Sequence, residues 1–214
     1  MLSRHHAILV RRYSLLSNFF DTHYRHLPNF GHGRMHRLHA LEGLISNAWQ
    51  TWNGFCRGVI FDSCNGTTSM DGRAIAPHID CPTIGRIGYV AKQVHHNRPI
   101  RANGTVQPHS EPTWGDPSII LGAVEHYLPA NADSLRLGLQ LAYDTPEHMR
   151  HVRNAAAHLS KANVNRVRGV SLYYMGPSFK HPLDLLYWQT KDTNEPAFQV
   201  WLSDLSDMAF EMCR

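Results

Sequence analysis

The stretch Thr145 to Gly169, TPEHMRHVRNAAAHLSKANVNRVRG, combines the clearest helical pattern in the chain with its densest set of chemically capable side chains. Thr145 suits an N-cap, Pro146 the first helical position, Glu147 the positive end of the dipole, and Gly169 a stop. These signals predict one helix of about six turns. Met149, Val152, Ala156 and Leu159 recur at steps of three and four, which is the spacing of a docking stripe. Away from that stripe lie Arg150, His151, Arg153, Asn154 and His158. Asn154 and His158 are four apart on one face, so the carboxamide is expected to bond the imidazole and fix its tautomer. Arg153 and His158 are separated by about 140° around the cylinder and flank a groove kept shallow by Ala155, Ala156 and Ala157.

The run Arg153-Asn154-Ala155-Ala156-Ala157-His158 resembles the R-N-x-x-x-H signature of the HEPN superfamily of helical nucleases. The same Arg-to-His spacing occurs at Arg34 to His39 and Arg73 to His78. Pro77 and Gly72 argue against a long helix at the second of these, and the first has Met35 where the signature has a polar residue. Only the third has Asn in second place inside a long capped pattern. The resemblance covers roughly residues 36 to 213. It implies an up-and-down bundle of four to five helices, with the motifs of two chains facing each other across a homodimer.

The residue types point to the same chemistry. A histidine beside a guanidinium and an amide, without paired carboxylates or metal-ligand spacing, suits attack by an RNA 2′-hydroxyl on its own phosphodiester. The expected reaction is metal-independent endonucleolytic cleavage, leaving a 2′,3′-cyclic phosphate and a 5′-hydroxyl. DNA lacks the nucleophile. His158 is expected as general acid/base, Arg153 as the ligand of the phosphate, and Asn154 as the group holding His158. Arg150, His151 and Lys161 are candidate RNA contacts. No cofactor and no metal is expected. A site built on His148 and His151 would need a third ligand that no motif supplies. The resemblance further implies a toxin or anti-phage effector restrained by an antitoxin or other regulatory protein. The alternative is a non-catalytic HEPN module that binds RNA, nucleotide or a protein partner.

Composition frames this reading. A chain of 214 residues is long enough for one domain with a proper core, or one domain plus an extension, and a net charge of +4 permits a polyanionic partner. Sixteen histidines make the charge sensitive to mild acid. Cys56, Cys64, Cys81 and Cys213 form no C-x2-C pair, which argues against structural zinc or a disulfide framework and for a reducing cytoplasm. Residues 1–35 are expected as an N-terminal arm. Its Arg-rich start, MLSRHHAILVRRYSLLSNFF, is too short in apolar residues for a membrane span, and an organelle-import peptide is a second reading. Asp21 to Arg37 reads as a linker.

Residues 36–214 are expected to form the helical domain. Leu41, Leu44, Ile45, Ala48, Trp49, Trp52, Phe55, Cys56, Val59 and Ile60 predict a core-facing helix over about 36–61. Trp49 and Trp52 read as core rather than as a base-stacking platform, and Gly54 and Gly58 as a close helix crossing. Residues 62–113 lose periodicity and are expected as an irregular insertion, in which only Ile87 to Val94 could form a short element. Within it His95, His96, Arg98 and Arg101 make a basic cluster. Asp116-Pro117 opens a third helix, Leu135 to Tyr143 a shorter one, and a last helix begins near Thr193. The fold class is therefore all-α.

Overall fold

The computed structural model describes residues 1–22, 34–177 and 179–214. It is mostly helical, as the periodicity predicts, with α1 (Leu2–Phe20), α2 (Arg34–Asn65), α3 (Ile84–His95), α4 (Pro117–Tyr127), α5 (Ala132–Leu141), α6 (Asp144–Ala157), α7 (Lys161–Ser171) and α8 (Ala197–Cys213). Among the described residues the strands are two short antiparallel pairs, β1 (Thr67–Thr68) with β2 (Ala74–Ile75) and β3 (Tyr174–Met175) with β4 (Gln189–Thr190). The chain divides into two compact units, and α1, α2 and α8 contribute a segment to each. Much of the expected linker, residues 23–33, lies outside the described residues.

The first unit comprises Met1–Leu9, Trp52–Tyr143 and Ser206–Arg214. Trp52, Cys56, Val59, Ile60, Ile87, Ile120, Val124, Leu135, Met208 and Met212 are fully buried in it. Trp52 stacks on Phe55 at 5.5 Å, and its indole N–H donates to the Gly115 carbonyl at 3.0 Å. A buried aromatic with its one polar atom satisfied is a packing residue. Arg57 donates to both Glu111 oxygens, at 2.6 and 2.8 Å, and Trp114 donates to the same carboxylate at 2.9 Å. The irregular insertion is therefore tied to α2, and it contains a three-turn helix, α3, capped by Thr83.

The second unit comprises Val10–Thr51 and Asp144–Leu205. Phe20, at the end of α1, packs on Phe198 at 5.0 Å and on Tyr187 at 5.3 Å. Ser17 and Gln199 exchange two hydrogen bonds, at 2.7 and 3.2 Å. The N-terminal segment is thus a buried-faced helix with Leu2, Leu9, Tyr13 and Phe20 inside. A 3₁₀ turn, Pro182–Tyr187, sits against α6 and α7 and is opened by a capping box between His181 and Asp184. Along α8, Phe198, Trp201, Leu202, Leu205, Met208, Ala209 and Met212 are buried as their spacing requires.

Of Gly54 and Gly58 in α2, expected at a close crossing, only Gly58 meets one. A Cβ on Gly58 would lie 2.5 Å from the His5 ring, which pairs with Asp62 at 2.9 Å, so α1 does approach there. Among the described residues nothing lies within 4 Å of a Cβ on exposed Gly54. In α5, a Cβ on Gly138 would meet the Met208 carbonyl at 2.7 Å and the Met212 nitrogen at 2.9 Å, both backbone atoms of α8. Chemical denaturation should therefore separate two alanine substitutions. Gly54→Ala should stabilise the chain by about 0.5–1 kcal/mol through helix propensity. Gly138→Ala should destabilise it by about 1–3 kcal/mol through overpacking.

Candidate active site on the α6–α7 hairpin

The single long helix expected over 145–169 is two helices. Asp144–Ala157 forms α6, His158 to Ser160 form a bend, and Lys161–Ser171 forms α7. The reason is local. Ser160 is extended and accepts from the Asn163 backbone N–H at 3.2 Å, so it caps a new helix rather than continuing the old one. Asn163 then turns its carboxamide back to donate to the His158 carbonyl at 2.9 Å, and lies 3.5 Å from that of Asn154. The Asn154 and His158 carbonyls, which already accept the backbone N–H groups of His158 and Ser160, are thereby approached a second time from α7. Gly169 does not end the helix, which runs on to Ser171.

The docking face shifts accordingly. Met149, Val152 and Ala155 are buried, but Ala156 is only partly so, and Leu159 is 66% exposed because the helix has already ended. Thr145 does not act as a free cap: it is buried and donates to Asp204 at 2.6 Å.

Arg153 and Asn154 are brought together, with the guanidinium Nη1 donating to the carboxamide Oδ1 at 3.0 Å. The Arg153 Nε is buried and has no hydrogen-bond partner among the described residues. The His158 backbone N–H still reaches the Asn154 carbonyl at 2.9 Å, so the two residues remain one helical turn apart. The expected bond between the Asn154 carboxamide and the His158 ring is not made, since that oxygen is taken by Arg153 and the imidazole is exposed. Lys161 is exposed at the first position of α7. The His151 Nε2–H donates to the Glu147 carboxylate at 3.1 Å, and that carboxylate is also 3.7 Å from Arg150. Burial lowers the His151 pKa, Glu147 opposes that, and Arg150 and Arg166 reinforce it.

His148 faces elsewhere, toward a polar group that pattern reading missed. Its Nδ1 is 2.8 Å from the Tyr174 hydroxyl, which also receives the indole N–H of fully buried Trp201 at 2.7 Å. Burial pushes the Tyr174 phenol up to about 12 and lowers the His148 pKa, the latter against the nearby charges of Asp144 and Glu147. Among the described residues no group of three or more His, Cys, Asp or Glu could hold a metal ion. Nor is any helix among the described residues long and apolar enough to cross a membrane.

From His148 to Leu183 the chain carries Arg150, Arg153, Lys161, Arg166, Arg168 and Lys180 and no Asp or Glu. An uninterrupted cationic run of this kind favours an anionic ligand. Comparison with protein-family models, curated proteins and solved structures returns no match to this chain.

Two outcomes follow from the buried polar groups. Tyr174→Phe removes the acceptor of a buried indole N–H and the partner of His148, and should cost about 1–3 kcal/mol in equilibrium unfolding. Burial also holds His6, His126, His148 and His151 below the ordinary value of 6.5. The unfolded chain therefore takes up protons first, so this stability is complete above 6.5 and is lost as pH falls through the lower folded-state values. Thermal melts between neutral pH and about 5 should show a falling Tm, and a level Tm across that window would contradict the assignment.

Proposed function

We propose that the chain is a metal-independent endoribonuclease of the HEPN kind, with Arg153 and His158 as its catalytic pair. The observation that carries this reading is the hairpin bend. It leaves the His158 imidazole exposed one turn beyond a guanidinium with an unsatisfied buried Nε, within a 36-residue run free of acids. The Arg153 guanidinium is held by Asn154 through Nη1, and its remaining terminal N–H groups are the donors that a phosphate oxygen accepts. The positive end of α7, with Lys161 at its first position, lies two residues further on and favours the same charge.

In the proposed reaction the His158 ring takes the proton of an RNA 2′-hydroxyl as its oxygen bonds to phosphorus. The bond from phosphorus to the 5′-oxygen breaks, a second imidazole protonates that oxygen, and Arg153 offsets the charge on the phosphoryl oxygens. The second imidazole is His158 of a second copy, in a homodimer. Exposed Leu159 beside His158, with Leu172 and Tyr173 at the end of α7, provides apolar area for such a contact. Arg150, His151 and Lys161 are proposed RNA contacts, and Asn154 positions Arg153 rather than His158. A role as a toxin or defence effector with a neutralising partner is the biological form of this proposal.

One observation favours the non-catalytic alternative: the His158 ring is not held by Asn154 within a single chain. Cleavage of single-stranded RNA in EDTA separates the two readings. The wild type should cut RNA but not DNA, and Arg153→Ala or His158→Ala should each slow cutting by about 10²- to 10⁴-fold with folding unchanged. Equal cutting by all three proteins would reject the assignment, and RNA binding without cutting by the wild type would favour the binding module.

A further inference from the structure

The first unit holds a cleft of about 720 Å³, lined by Tyr89, Gln93, Arg98, Arg101, Asn103 and Thr105 among others. That size suits a small organic ligand. Its walls are built rather than loose. At the end of α3 the Arg98 N–H reaches the Gln93 carbonyl at 2.8 Å and the Asn97 N–H reaches Val94 at 3.0 Å, with Asn97 at φ 49°. This is a Schellman close, and it fixes where Arg98 leaves the helix. The Arg98–Thr105 loop is then clamped from below by Arg86, whose Nη1 donates to the carbonyls of Arg101 and Gly104 at 2.7 and 2.9 Å. The Arg101 N–H reaches the Tyr89 hydroxyl at 3.2 Å, and Gly104 lies so close to the Tyr89 ring that a Cβ there would clash at 2.2 Å.

Arg98 and Arg101 are exposed, and neither guanidinium has a carboxylate partner among the described residues. The reason extends along the sequence. Cys81 to Ser110 contains Arg86, Lys92, Arg98 and Arg101 and no Asp or Glu. Arg86 and Lys92 are engaged with backbone carbonyls, whereas Arg98 and Arg101 face the cleft with their charge unspent. Two guanidinium groups lining one cleft supply the forked donors that phosphate oxygens accept, and Gln93, Asn103 and Thr105 offer neutral hydrogen-bonding groups to what the phosphate carries.

We infer that this cleft is a phosphate-binding site for a nucleotide, held by Arg98 and Arg101 and independent of the α6–α7 hairpin. The phosphate belongs to a free nucleotide or to a nucleotide of an RNA strand, and the test distinguishes the two. Full-length protein carrying His158→Ala is titrated calorimetrically with inorganic phosphate, adenosine 5′-monophosphate and a short oligouridylate. Arg98→Gln and Arg101→Gln are then added singly to the same background. Both side chains are exposed and bear no structural bond, so the melting temperature should be unchanged.

Adenosine monophosphate should bind more tightly than inorganic phosphate, and each Gln substitution should weaken it about tenfold, with weakening by added salt. If the oligouridylate alone binds and shows the same Arg dependence, the source is an RNA strand. Failure of all three probes to bind at millimolar concentration, or binding indifferent to both substitutions, would overturn the inference. Neither result would bear on cleavage by Arg153 and His158, which is read in a separate assay.

Discussion

Asn163 donates to the His158 carbonyl at 2.9 Å while Ser160 caps the helix that carries Asn163. This pair of short-range bonds decides the geometry of the candidate site. Without it, the run from Asp144 to Ser171 would continue as one helix, and His158 would be a mid-helix residue on a face shared with Asn154. With it, α6 ends at Ala157, the imidazole stands in a bend, and α7 starts with its positive end two residues away. The bend also releases Leu159 to solvent, which places an exposed apolar side chain beside the imidazole. Arg153 stays anchored to Asn154 on the preceding turn. Guanidinium and imidazole are therefore neighbours in sequence held by separate devices, one on α6 and one at the join.

Charge is distributed with the same economy. Among the stretches without an acid are Cys81 to Ser110 and His148 to Leu183, which between them carry Arg86, Lys92, Arg98, Arg101, Arg150, Arg153, Lys161, Arg166, Arg168 and Lys180. The acids lie outside these runs, where several neutralise cations in structural pairs such as Arg57 with Glu111 and Arg136 with Glu125. A modest net charge of +4 thus conceals cationic stretches, of which these two lie one in each compact unit. Arginines tied to carboxylates or to carbonyls serve the fold, and those without such partners define where an anion would be welcome.

The helices were legible because apolar side chains recur at helical spacing wherever one face is buried. Trp52, Val59 and Ile60 on α2, and Phe198 through Met212 on α8, occupy the core their periodicity assigns. Caps were legible where a residue acts on its own helix, as with Asp116 before α4. The break at His158 was not, because Ser160 and Asn163 compete with strong helix formers around them and Ala155 to Ala157 favour continuation. The pairing of Asn154 with Arg153 instead of His158 depends on where the guanidinium can reach, which spacing along a helix does not specify. The Tyr174 bonds and the clamp on the Arg98–Thr105 loop were hidden for a different reason: their partners, Trp201 and Arg86, are separated in sequence and marked by no motif.

The central claim is that Arg153 and His158 act on a phosphodiester whose own 2′-hydroxyl is the nucleophile. The ends left on a cut RNA test it most directly. Mass analysis of the fragments is predicted to find a 2′,3′-cyclic phosphate on one side and a 5′-hydroxyl on the other, with no cut where a single 2′-deoxynucleotide replaces the residue before the scissile bond. A 3′-hydroxyl paired with a 5′-phosphate, or cutting that persists at the deoxy position, would contradict it.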